Sequence, residues 1–154
     1  MTSNYQTIID RLGKDKVEIG KILASYTTFK IGGPADLFYE ARIEEELVSA
    51  VKAAKELQIP YLILGEGSNL LVGDKGFRGI VIKTQNTNIQ VQTDEDDPAK
   101  IKVIVGAGVK MGWLIAELTK VSVSGLEFMV GIPGTVGGAV RGNAGAWQQL
   151  IGDK

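Results

Sequence analysis

The 154-residue sequence predicts an α+β fold in two parts, divided near residue 85. Three observations carry that reading. Residues 35–64 read as strand, helix, strand. Residues 88–105 hold two alternating segments around an acidic tip, the signature of antiparallel, half-buried strands. Glycine then crowds the C-terminal third, with seven between 125 and 145, so the composition after residue 85 differs from that before it.

In chain order, Ser3-Asn4-Tyr5-Gln6 has the form of a capping box, Ile8, Ile9 and Leu12 give a short apolar face, and Gly13 suits a helix end. Residues 1–25 are therefore expected to be a short helix followed by a charged connector. Leu37, Phe38 and Tyr39 fit a strand over 35–41. The clearest helix is 43–58, with Leu47, Val48, Val51, Ala54 and Leu57 on one face. Glu44, Glu45 and Glu46 complement its positive end and Lys52 and Lys55 lie toward the other. No Ser, Thr, Asp or Asn caps it, and Pro60 closes it. Residues 61–64 read as a short buried strand, 70–72 as another, 74–79 as a turn and 80–83 as a further strand. The alternating segments are 88–92 and 100–105, joined through Asp94-Glu95-Asp96-Asp97-Pro98, whose adjacent carboxylates suit a solvated loop better than a metal site. Residues 111–121 are expected to be helical, with Leu114, Leu118 and Val121 facing the core. Glycines at 131, 134, 137, 138, 142 and 145 make 131–146 too glycine-rich for a regular helix or strand.

The totals exclude several chemistries. Net charge is −1, so nothing points to nucleic acid or to a polybasic membrane contact. No apolar run approaches the roughly 18 residues of a membrane span, and MTSNYQTIID lacks an apolar signal core, so a cytoplasmic location is expected. With no cysteine there is no disulfide or thiolate, and with no histidine the usual zinc ligands and neutral-pH acid–base residue are missing. Carboxylates, hydroxyls, Lys, Arg or a cofactor must carry any reaction. Glycine is 20 of 154 residues, nearly twice the typical ~7%. Such an excess goes with turns and close backbone approach.

Three glycine-rich segments are candidates for a site. Gly65-Glu66-Gly67-Ser68-Asn69 follows a strand, where backbone N–H groups can converge on an anion. A plain turn accounts for it equally well. It is not a P-loop, and Glu66 must face outward if an anion binds. Residues 131–146 give up packing surface, which suits either a flat cofactor or a structural loop, and Thr135 and Asn143 are the polar groups able to point at a ligand. Gly106-Ala107-Gly108 leaves room for a ring, or simply makes a turn.

Four segments come in a telling order: TTFKIGGPA from Thr27, LGEGSNLLV from Leu64, GLEF from Gly125 and GIPGTVGGA from Gly131, closed by NAGAW from Asn143. Together they resemble the UDP-N-acetylenolpyruvoylglucosamine reductase family, FAD enzymes that make the muramic acid precursor of peptidoglycan. The resemblance covers residues 26–154. It implies a PCMH-type FAD-binding fold of two α+β subdomains, 26–84 and 85–154, with the flavin between them, the second incomplete and a substrate-binding domain absent. It implies that Gly65, Glu66, Gly67, Ser68, Asn69 and Leu70 cradle the FAD pyrophosphate. It further implies that Ile132, Pro133, Gly134, Thr135, Gly137 and Gly138, with Asn143, Ala144 and Gly145, line the flavin. In that family NADPH reduces the flavin, and hydride then passes to the enolpyruvyl double bond of a UDP-sugar. The family's catalytic Arg, Ser and Glu positions would lie beyond Lys154. No catalytic residue is therefore assigned, and this chain alone is expected not to complete the reaction.

The sequence departs from the family pattern at Gln148, where glycine is usual after the aromatic residue. An incomplete sheet would also leave an open edge that favours self-association. Two rival readings are a flavin domain of a hydroxy-acid-oxidase type from the same superfamily and a binding module without cofactor. Product analysis separates the first, and behaviour with and without FAD separates the second.

Overall fold

The computed structural model describes residues 3–153. The chain divides into a unit ending at Gln85 and a unit beginning at Asn86.

In the first unit, helix α1 (Ser3–Leu12) buries Ile8, Ile9 and Leu12 as its spacing predicts. The capping box is not made. The Ser3 hydroxyl donates to Asn4 Oδ1 at 3.4 Å and the Gln6 amide to Asp10 Oδ1 at 3.1 Å. The expected charged connector is a strand, β1 (Val17–Ile22). It is an edge strand that buries only Val17, so Glu18 and Lys21 can stay in solvent and mask it as a loop. A single 3₁₀ turn, Leu23–Tyr26, leads to β2 (Pro34–Ala41).

Helix α2 (Glu44–Glu56) is shorter at both ends than the periodicity predicts. Ile43 is extended and offers no side-chain cap. The Glu46 carboxylate in the first turn instead accepts the Arg42 N–H at 2.8 Å, tying down the residue that precedes the N-cap. That bond, and then the Lys16 ammonium at 2.9 Å, hold the Glu46 carboxyl below its ordinary range. At the other end Gln58 turns left-handed, φ 53°, just ahead of Pro60.

Strands β3 (Tyr61–Leu64) and β4 (Phe77–Thr84) complete a four-stranded sheet in the order β1-β2-β4-β3. β1 runs antiparallel to β2, while β2, β4 and β3 are mutually parallel. Strict alternation puts Leu37, Tyr39, Ile80 and Ile82 on the face covered by α1 and α2, and Phe38 and Val81 on the other. A bulge between Ala35 and Leu37 resets the parity, so Ala35 joins Phe38. Residues 70–72, expected as a strand, join no ladder. Val72 is instead buried over the second face, beside Leu23 and Leu64, and the Gly33 N–H donates to the Gly73 carbonyl at 3.0 Å. The turn expected over 74–79 is shorter, because β4 already begins at Phe77.

In the second unit, β5 (Ile89–Thr93) and β6 (Ile101–Val105) form the expected antiparallel hairpin, with Val91 opposite Val103. At its tip Asp94 Oδ1 accepts the N–H groups of Asp96 and Asp97, an Asx turn. Helix α3 (Met111–Lys120) buries Met111, Leu114 and Leu118. Val121, expected on the core face, follows the helix and is exposed. The glycine-rich stretch contains a regular element after all, a short helix α4 (Val136–Arg141). A two-residue hairpin, β7 (Gly145–Ala146) and β8 (Gln149–Leu150), follows. The core here is Val109, Met111, Leu114, Leu118, Phe128, Met129 and Ala139.

Candidate functional site

In the first unit the parallel strands β2, β3 and β4 share one direction, so Ala41, Leu64 and Thr84 end on the same side of the sheet. Ligand loops of open parallel sheets lie at such carboxyl ends. Residues 65–70 leave β3 there. Gly67 is buried, Gly65, Glu66, Ser68 and Leu70 are half-buried, and Asn69 is exposed.

Three groups fasten this loop by its carbonyls. The Thr84 hydroxyl donates to the Leu64 carbonyl at 3.4 Å, the Lys83 ammonium to the Gly65 carbonyl at 2.6 Å, and the Thr28 N–H to the Gly67 carbonyl at 3.2 Å. No described peptide bond is cis. In a trans peptide the C=O and the following N–H point in opposite directions. Fixing the Gly65 and Gly67 carbonyls therefore turns the N–H groups of Glu66 and Ser68 away from Lys83 and Thr28 respectively. Gly67 has its own structural reason: it is left-handed, φ 63°, and a Cβ there would lie 2.1 Å from the Tyr26 carbonyl oxygen. The sequence pattern supplies the glycines but not the anchors. Thr28 stands in a quoted motif without an assigned role, Lys83 reads as an ordinary strand end, and Thr84 lies just past it.

The second unit holds the remaining candidates. Ile132, Pro133 and Gly134 lead into Thr135, which is 2% exposed and caps α4, its Oγ1 accepting the Gly138 N–H at 3.2 Å. Gly137 lies against Ala107: a Cβ would stand 2.7 Å from the Ala107 Cβ, and the Gly137 N–H donates to the Ala107 carbonyl at 3.0 Å. Gly106 abuts Asn86, where a Cβ would meet the carbonyl oxygen at 2.3 Å. Backbone packing within the unit thus accounts for these two glycines. Asn143 is left-handed, φ 45°, and its Oδ1 accepts the Gly152 N–H at 3.1 Å. Ala144 exchanges bonds with both neighbours, donating to Ala139 and accepting from Ile151. Gly145 fits where a Cβ would lie 2.0 Å from the Gln149 carbonyl oxygen. Thr135 and Asn143, the two polar groups expected to face a ligand, both have internal partners.

Trp147 and Gln148 form the tip of the β7–β8 hairpin with φ of 55° and 64°. Two successive left-handed residues define a type I′ turn, which favours Asn-Gly. A glycine after the aromatic residue would meet this backbone requirement without strain. Among the described residues no group of three or more His, Cys, Asp or Glu could hold a metal ion, and no helix is long and apolar enough to cross a membrane.

The family model described as FAD binding domain matches residues 35–152. The UDP-N-acetylenolpyruvoylglucosamine reductase of Alkaliphilus metalliredigens is 40% identical over 143 residues, covering 93% of this chain and 45% of that protein. The protein of the same name from Carboxydothermus hydrogenoformans is 45% identical over 131 residues, covering 85% of this chain and 42% of that one. The crystal structure of the Thermus caldophilus UDP-N-acetylenolpyruvylglucosamine reductase superposes with a TM-score of 0.67 at 34% identity, over 90% of this chain and 46% of that chain. A p-cresol methylhydroxylase structure matches with a TM-score of 0.54 at 19% identity over 80% of this chain and 26% of its own, a likeness of fold alone. The chain spans about half the length of the curated relatives it matches.

Proposed function

Because the chain belongs to the FAD binding domain family, we propose that it is the FAD-binding part of a UDP-N-acetylmuramate dehydrogenase. The whole protein would reduce the enolpyruvyl ether of UDP-N-acetylglucosamine with NADPH, in peptidoglycan precursor synthesis in the cytoplasm. Bound FAD would supply the hydride relay, chemistry that amino-acid side chains do not provide. The chain's own task is to bind and orient it.

The observation that carries this reading is the loop 65–70 at the carboxyl ends of parallel strands, fastened through its carbonyls so that N–H groups of Glu66 and Ser68 face away from their anchors. Those N–H groups, with the Ser68 and Asn69 side chains, take the FAD diphosphate. Residues 132–138 and 143–145 take the flavin, chiefly through backbone and apolar surface, since Thr135 and Asn143 are engaged internally. No catalytic residue is assigned within the chain. Identity of about 40% across 93% of the chain supports a reductase over a hydroxy-acid oxidase, because the oxidase-like neighbours share the fold alone.

The test is a titration of the purified chain with FAD, followed by absorbance and flavin fluorescence. Saturable binding with a perturbed flavin spectrum is expected, together with no NADPH oxidation dependent on the enolpyruvyl sugar nucleotide. Absence of binding at any FAD concentration sinks the cofactor reading. Substrate-dependent NADPH oxidation by this chain alone sinks the division of labour.

A further inference from the structure

We propose that Lys83 is a positioning residue for the diphosphate of FAD, acting through the Gly65–Glu66 peptide. The inference rests on the reading of loop 65–70 as the diphosphate cradle. Lys83 lies on β4 directly opposite Leu64 of β3, one residue before the loop begins. Its side chain is half-buried, and its ammonium sits 2.6 Å from the Gly65 carbonyl. A charged donor makes a stronger hydrogen bond than a neutral one, and a partly desolvated setting strengthens it further.

The consequence runs across one peptide group. A cation on the carbonyl oxygen draws electron density from the amide nitrogen, so the N–H on the far side becomes a better donor. That N–H belongs to Glu66 and points away from Lys83, because the peptide is trans. Lys83 therefore fixes the direction of the donor and raises its strength without touching the ligand. Thr28 does the first of these jobs two residues on, at the Gly67 carbonyl, but as a neutral N–H. Lys83 is the cationic one of the three groups that anchor the loop.

The experiment compares the full chain with K83M and K83R in FAD titrations at low and high salt, with thermal unfolding measured alongside. K83M is expected to bind FAD about tenfold more weakly, the factor for losing one charge-assisted hydrogen bond. Its affinity is also expected to fall less steeply with salt than the wild type's, because a charge has gone from the cradle. K83R keeps the charge and is expected to recover most of the affinity and the wild-type salt slope. Should K83M fail to unfold cooperatively, K83Q takes its place: it keeps a neutral donor but no charge, so the same flattening of the salt slope is expected with a smaller loss of affinity. Equal FAD affinity in K83M and wild type overturns the inference. So does weaker binding with an unchanged salt slope and no recovery in K83R, the pattern of a lysine that only holds the strand end. If the wild-type chain binds no FAD at all, the cofactor reading itself falls and takes this inference with it.

Discussion

Gln148 stands in the left-handed region at φ 64°, next to Trp147 at φ 55°. An L-residue with a side chain pays about 1–2 kcal/mol for that conformation, while glycine adopts it freely. Glycine's greater loss of backbone freedom on folding returns part of the gain. Gln148→Gly is therefore expected to stabilise the chain by about 0.5–1 kcal/mol, read as a raised denaturation midpoint. A lowered midpoint would mean that the Gln148 side chain makes a contact worth more than the strain. Of the single residues that matter, the sequence shows the glycines plainly. It hides their partners, because Tyr26, Thr28, Asn86 and Ala107 approach Gly67, Gly106 and Gly137 from distant positions in the chain.

At the level of elements, α2 and α3 are legible because each sets apolar residues at helical spacing against one core, although Val48, expected on the core face of α2, is exposed. The β5–β6 hairpin is legible from its alternation, which half-buries Ile89, Val103 and Val105 and leaves Val91 exposed. β1 is not, since an edge strand with one buried residue needs no alternation. Residues 70–72 look like a strand for the opposite reason: Val72 is buried, yet by covering a sheet face and not by pairing. α4 defeats propensity altogether. Its two adjacent glycines have different causes, and a pair of substitutions separates them. At Gly137 a methyl group would press on the Ala107 Cβ at 2.7 Å, whereas at Gly138 it would meet only the Thr135 Oγ1, at 3.3 Å. Gly137→Ala is expected to destabilise by about 1–3 kcal/mol through overpacking. Gly138→Ala is expected to lie within about 1 kcal/mol of neutral, the helix preference for alanine offsetting a tight contact. Equal effects in urea denaturation would refute the assignment of α4 as packed against Ala107.

For the whole molecule, the second unit pairs its longer strands only in the two-stranded β5–β6 ladder among the described residues. Two strands alone are marginal, and an unprotected outer edge invites another strand. β5 reads IQVQT and carries no charge to repel a partner. The chain is therefore expected to self-associate with rising concentration in sedimentation experiments, and Gln90→Lys with Gln92→Lys is expected to shift it toward monomer. A monomer at every concentration, indifferent to those lysines, would show that the edge is protected in solution.

The Thr28 N–H donates to the Gly67 carbonyl, a bond made wholly between protein groups. That amide is a clock. If the loop already holds its shape, Thr28 exchanges its hydrogen for deuterium slowly in the free protein, and ligand arrival slows it little further. Association would then proceed at a rate set by diffusion and charge, not by a wait for the loop to assemble.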